Sequence, residues 1–145
     1  MRKINLFAIG CLLASSFSFA QQATIPDTYG ENKTAIMVVS DHPEFVIKLK
    51  SNPTTGYSWF LREYSSDILS PVKHTFEANA DRKIMGAPGY EIWTFHVKPA
   101  GFHVPQQMVL RLVYTRPWED SNQEKQITFR VSTIATSKEE TKTEH

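Results

Sequence analysis

From residue 35 onward, large apolar side chains recur at every second position in short runs broken by Pro, Gly, Asn and Asp. A period of two belongs to strands with one buried face. The pattern predicts seven strands, beginning with Ala35 to Ser40. In Glu44 to Lys50, Phe45, Ile47 and Leu49 share one face while Lys48 and Lys50 take the other. Tyr57 to Arg62 groups Tyr57, Trp59 and Leu61, and Val72 to Ala78 groups Val72, His74 and Phe76. Tyr90 to Lys98 sets Trp93, Phe95 and Val97 against Ile92, Thr94 and His96. Gln107 to Thr115 aligns Met108, Leu110, Leu112 and Tyr114 opposite Arg111, and Gln126 to Ser132 aligns Ile127, Phe129 and Val131. No stretch carries a sustained helical period. Seven or eight short strands fit an all-β fold, an immunoglobulin-like antiparallel β-sandwich of two sheets. A small closed barrel is the other architecture the pattern allows.

The first twenty residues follow a different logic. Met1-Arg2-Lys3 is a short positive start, Leu6 to Leu13 are apolar, and Ser18-Phe19-Ala20 is a small-x-small cleavage signal. This is the pattern of a secretory signal peptide, too short to span a bilayer. Ala8-Ile9-Gly10-Cys11 loosely resembles a lipobox, but the apolar run before Cys11 is short and Leu12-Leu13 after it stay apolar. The expected organisation is a signal peptide over 1–20, one sandwich domain over 21–134 and a polar tail over 135–145. The expected localisation is exported, either periplasmic or secreted.

Cleavage after Ala20 leaves 125 residues with 14 basic and 15 acidic side chains, a net charge of −1. Such near-neutrality excludes a broad footprint for nucleic acid or for an anionic membrane. Cleavage also removes Cys11, the single cysteine, so the domain has no disulfide, thiol nucleophile or thiolate ligand. The remaining histidines, His42, His74, His96, His103 and His145, form no HxxxH pair. There is neither a G-x-S-x-G elbow nor a phosphate-cradling glycine loop. An enzyme is not expected, and no metal or organic cofactor is implied. Nothing demands more than a monomer.

Three connections carry more than turn chemistry. Asn52-Pro53-Thr54-Thr55-Gly56 joins the second and third predicted strands, Met85-Gly86-Ala87-Pro88-Gly89 precedes the Trp93 strand, and Arg116-Pro117-Trp118 follows Tyr114-Thr115. Each alone reads as an ordinary turn or loop. In a sandwich, however, connections of this kind emerge at one end. Together, NPTTGYSW at 52–59, GAPG at 86–89 and RPW at 116–118 resemble the chagasin family of cysteine-peptidase inhibitors in order and spacing. The family commonly shows Gly-x-Gly-Gly in the middle motif, and Pro88 departs from it by removing an N–H and fixing φ.

The resemblance implies a reversible, competitive, non-covalent inhibitor of papain-like (cathepsin-type) cysteine peptidases that uses three loops as a wedge. Asn52, Pro53, Thr54, Thr55, Gly56 and Tyr57 would enter the cleft near the catalytic cysteine. Arg116, Pro117 and Trp118 would pack on the primed side, and Gly86, Ala87, Pro88 and Gly89 would grip the other rim. Exposed aromatics leave an alternative, a non-inhibitory extracytoplasmic module binding carbohydrate or an envelope protein. Arg116 has two open roles: contact with the peptidase, or a hydrogen bond to a carbonyl that holds its own loop.

Overall fold

The computed structural model describes residues 25–79, 86–119 and 124–137. The expected signal peptide, Cys11, Met85 and the last residues of the expected tail lie outside them. Eight strands form: β1 (Asp27–Tyr29), β2 (Ala35–Val39), β3 (Glu44–Ser51), β4 (Ser58–Glu63), β5 (Leu69–Glu77), β6 (Gly89–Val97), β7 (Gln106–Thr115) and β8 (Lys125–Ile134). They build two four-stranded sheets, ordered β1-β3-β6-β5 and β2-β8-β7-β4. The all-β sandwich therefore stands. The inner ladders are antiparallel, but β1 pairs with β3, and β2 with β8, in parallel. Both parallel pairs arise because the chain enters on one sheet, reverses at Gly30–Lys33 and crosses to the other.

Alternation builds the core as the sequence requires. Phe45, Ile47 and Leu49 of β3 and Phe95 and Val97 of β6 face Ile36, Val38, Trp59, Leu110, Leu112, Phe129 and Val131 of the second sheet, all buried. Phe45 stacks on Phe95 with centroids 5.4 Å apart. Burial of such side chains contributes about 1.5–3 kcal/mol each before entropy is counted.

Two strands depart from the simple pattern. β1 is only three residues long, too short to give a period. In β5, the register shifts between Pro71 and Lys73, so Val72 drops out of the shared face expected with His74 and Phe76. β5 is an edge strand, where a proline without its N–H is tolerated and a bulge is common. From Pro71 to Glu77 the strand is exposed throughout.

Strand directions turn four connections toward one end, β1–β2 (30–34), β3–β4 (52–57), β5–β6 (78–88) and β7–β8 (116–124), and the last three carry the expected contact residues. Gly89 opposite Ser51, and Ser58 opposite Thr115, mark that end of each sheet.

Candidate functional site

The β3–β4 connection is a turn tied to itself. Pro53–Thr55 forms one 3-10 turn with proline at its start and no buried residue. The Asn52 carbonyl accepts from Thr55 N at 3.1 Å and from Thr55 Oγ1 at 2.6 Å. Thr54 Oγ1 donates to Asn52 Oδ1 at 2.6 Å. Both threonine hydroxyls thus direct their single proton inward and keep only acceptor capacity outward. Gly56 closes the turn at φ 82°, its N–H donating to Pro53 O at 3.0 Å. Any larger residue meets two obstacles there. The left-handed conformation costs it about 1 kcal/mol or more. A Cβ would also stand 2.8 Å from Trp118 Cη2, because the indole lies across the glycine.

The other two connections are fastened to this turn. Asn52 Nδ2 donates to Gly86 O at 3.2 Å, joining the first loop to the second. Arg116 Nε donates to Thr55 O at 2.8 Å, joining the third loop to the first. Of the two roles expected for Arg116, the carbonyl tether is present, and the carbonyl belongs to the neighbouring loop instead of its own. Arg116 Nη1 also donates to Glu119 Oε1 at 2.7 Å. That hydrogen bond is the main cause of a raised Arg116 pKa, desolvation opposing it and the Glu119 and Tyr57 charges adding to it.

An aromatic column supports the edge from below. The Arg116 guanidinium lies 4.4 Å over the Tyr57 ring, Tyr57 stacks on Tyr114 at 5.3 Å, and Tyr114 leans on Trp59 at 5.0 Å. Tyr114 OH accepts from the Asn52 backbone N–H at 2.9 Å. Trp59 is 1% exposed, and its indole donates to Lys50 O at 2.9 Å. The column thus runs from a surface cation into the core, with cation–π and stacking contacts at each step.

Of the thirteen expected contact residues, Pro53, Thr54, Thr55, Gly86, Pro88, Pro117 and Trp118 are exposed on this edge. Trp118 keeps 71% of its surface in water. Asn52, Gly56, Ala87, Arg116 and Tyr57 are half-buried, and Asn52, Arg116 and Tyr57 join the loops rather than forming their tips. Gly89 is buried as the first residue of β6 against the Phe76 ring, so it does not reach the crest.

Sequence reasoning passed over two residues. Tyr114 was assigned to the core face without its tether to Asn52. Glu91, 3% exposed, points into the sandwich, where Ser51 Oγ, Trp59 N and His74 Nε2 lie within hydrogen-bond distance of its carboxylate. The signal was available, since Glu91 shares parity with Trp93 and Phe95.

Such an arrangement defines a class: a sandwich that presents one edge of mutually braced loops with an exposed aromatic, a binding surface with no catalytic constellation among the described residues. The sequence model of the chagasin family of peptidase inhibitors matches residues 38–133, which contain all three loops. The chain therefore belongs to the chagasin family of peptidase inhibitors, proteins that block a peptidase and carry out no chemistry of their own. It is 36% identical over 75 residues to Chagasin of Trypanosoma cruzi, covering 50% of this chain and 64% of that protein. It is 30% identical over 105 residues to Amoebiasin-1 of Entamoeba histolytica, covering 72% of this chain and 95% of that protein. In fold it is similar to a cysteine protease inhibitor from Entamoeba histolytica, with TM-score 0.58, 22% identity, and 76% and 95% of the two chains covered. Amebosin superposes with TM-score 0.56 and 23% identity over 78% of this chain and 100% of its own.

Proposed function

We propose that the chain inhibits papain-like cysteine peptidases reversibly, competitively and without covalent chemistry, by inserting the edge formed by 52–57, 86–88 and 116–118 into the active-site cleft. The observation that carries this reading is the bracing of the three loops through Asn52 Nδ2 to Gly86 O and Arg116 Nε to Thr55 O, with Trp118 left exposed beside them. Loops already ordered lose little conformational entropy on docking, so ordinary contact area converts into tight binding. The turn at Pro53–Thr55 also resists cleavage. A peptidase cuts an extended segment, and opening this turn would break the bonds that Asn52 accepts.

Trp118 is the anchor, and Thr54 and Thr55 form a small uncharged tip that brings no ion to be desolvated. Pro88 offers no backbone N–H, so the second loop contributes shape and carbonyl acceptors at that position. The protein acts as a monomer after export and removal of residues 1–20, in the periplasm or outside the cell. Its partner is the peptidase, with neither nucleic acid nor membrane involved. No feature among the described residues favours the carbohydrate or envelope-protein alternative.

The test is a titration of papain, or of a cathepsin L-type enzyme, with residues 21–145, followed with a fluorogenic peptide. Substrate-competitive inhibition at nanomolar concentration, with the inhibitor recovered intact, is the expected result. No inhibition at micromolar concentration across several papain-like enzymes would overturn it.

A further inference from the structure

The first loop crosses from one sheet to the other, and a single carboxylate holds both of its stems. Ser51, the last residue of β3, donates from Oγ to Glu91 Oε1 at 2.5 Å. Trp59, the second residue of β4, donates its backbone N–H to Oε1 and Oε2 at 3.1 and 3.2 Å. β4 is the edge of its sheet, so this amide is satisfied across the sandwich by a side chain of β6 instead of by a strand. On the far side, His74 Nε2 lies 2.8 Å from Oε2, and its ring stacks on Trp93 with centroids 3.9 Å apart.

A glutamate in this place runs against the chemistry of a sandwich core. Burying a carboxylate is costly unless donors surround it, and apolar replacement of buried ions is often neutral or stabilising. Ser51 Oγ, Trp59 N and His74 Nε2 around the carboxylate offset that cost, and they set its geometry. The turn has no buried residue of its own. A cleft of about 160 Å³ lined by Pro53, Ser58, His74, Thr75, Phe76 and Glu91 lies under it. The aromatic column braces the Tyr57 side of the loop, but on the side of this cleft no packing fixes the turn, and there hydrogen bonds at its stems do.

We propose that Glu91 is a positioning residue of the inhibitory edge: its carboxylate clamps Ser51 to Trp59 and so holds residues 52–57 in the shape that fits the cleft and resists cleavage. This rests on the inhibitory reading above and adds to it a device buried below the contact surface.

The experiment compares Glu91→Leu, Glu91→Gln, Ser51→Ala and a core control, Ile36→Ala, which is buried on β2 away from the loops. Each is read by thermal midpoint, by inhibition of papain, by amide exchange at 54–57, and by cleavage of the inhibitor after long incubation. Glu91→Leu is expected to inhibit about tenfold or more weaker, to exchange faster at 54–57, and to be cut by papain within the loop. Ile36→Ala is expected to lower the midpoint while inhibiting normally and staying intact. Glu91→Gln keeps an oxygen for Ser51 and Trp59 and an amide for His74, and is expected to remain within about threefold of the native chain.

A folded Glu91→Leu that inhibits normally, exchanges normally and stays intact overturns the proposal, as does a Gln variant as weak as the Leu variant. If Glu91→Leu does not fold, Ser51→Ala decides. Faster exchange at 54–57 with weaker inhibition supports the clamp, and no change in either overturns it. Should the native chain inhibit no papain-like enzyme, the inhibitory reading falls by itself, and exchange at 54–57 still decides whether Glu91 fixes the loop.

Discussion

The two ends of the sandwich fasten their connections differently. At the end away from the loops, backbone bonds join one connection to the next, and side chains such as Lys98 on Ser66 O and Gln106 on Ala100 O add to them. Val97 N donates to Pro43 O at 2.8 Å and Lys98 N to Ile68 O at 2.7 Å. Gly101 sinks into the core, its carbonyl accepting from the buried Thr133 Oγ1 at 2.5 Å. At the loop end, side chains reach from one connection to the next: Asn52 to Gly86, Arg116 to Thr55, Tyr114 to Asn52. One end is held to the core, and the other is held to itself above the core. Ordering a surface without burying it keeps it available to a partner, and the exposed Trp118 is the visible consequence.

That contrast is broken most sharply at Trp118. Trp118→Ala removes a mainly exposed side chain, so the thermal midpoint should hardly move. Affinity for the peptidase should fall by about 2–4 kcal/mol, roughly 30- to 1000-fold, as for a central aromatic anchor. Inhibition titrations and calorimetry on the same preparation check it. A fallen midpoint with unchanged inhibition would make Trp118 a structural cap.

Gly101→Ala should give the mirror image. A Cβ at Gly101 would stand 2.7 Å from both Ile68 Cγ2 and Val97 Cγ1. Overpacking of this kind costs about 1–3 kcal/mol. The midpoint should drop several degrees while the inhibition constant stays within about twofold, since the rigid loop end is far away. Gly56→Ala falls between the two. It carries left-handed strain of about 1 kcal/mol and also displaces the Trp118 ring, so stability and inhibition should both decline.

The same contrast sorts what was legible in the sequence. β3, β6, β7 and β8 could be read within a residue or two, because a strand buried on one face writes its period into the chain. β1 could not, since three residues carry no period. In β5 the bulge at Pro71–Lys73 broke the parity that the reading assumed. The loops were legible as motifs, but their bracing was not. Which carbonyl Arg116 meets depends on β4 pairing with β7, a contact between residues 61 positions apart. Glu91 was left unread, although alternation with Trp93 and Phe95 puts it inside.

The smallest effect, and the finest test of self-bracing, comes from Arg116→Lys. Charge is retained, so an electrostatic role toward the peptidase would survive. Arg116 uses two nitrogens in different directions, Nε to Thr55 O and Nη1 to Glu119 Oε1. A lysine ammonium has one nitrogen and no planar fork, so it cannot reproduce both bonds or the guanidinium face over Tyr57. Net loss of one such bond is worth about 1 kcal/mol. Inhibition should therefore weaken about fivefold, mainly through faster dissociation, with amide exchange at 55–57 quickened in the free protein. Equal weakening without any change in the free loops would place the arginine's value in contact with the enzyme. Arg116→Lys thus separates a surface that is pre-shaped from one that is merely charged.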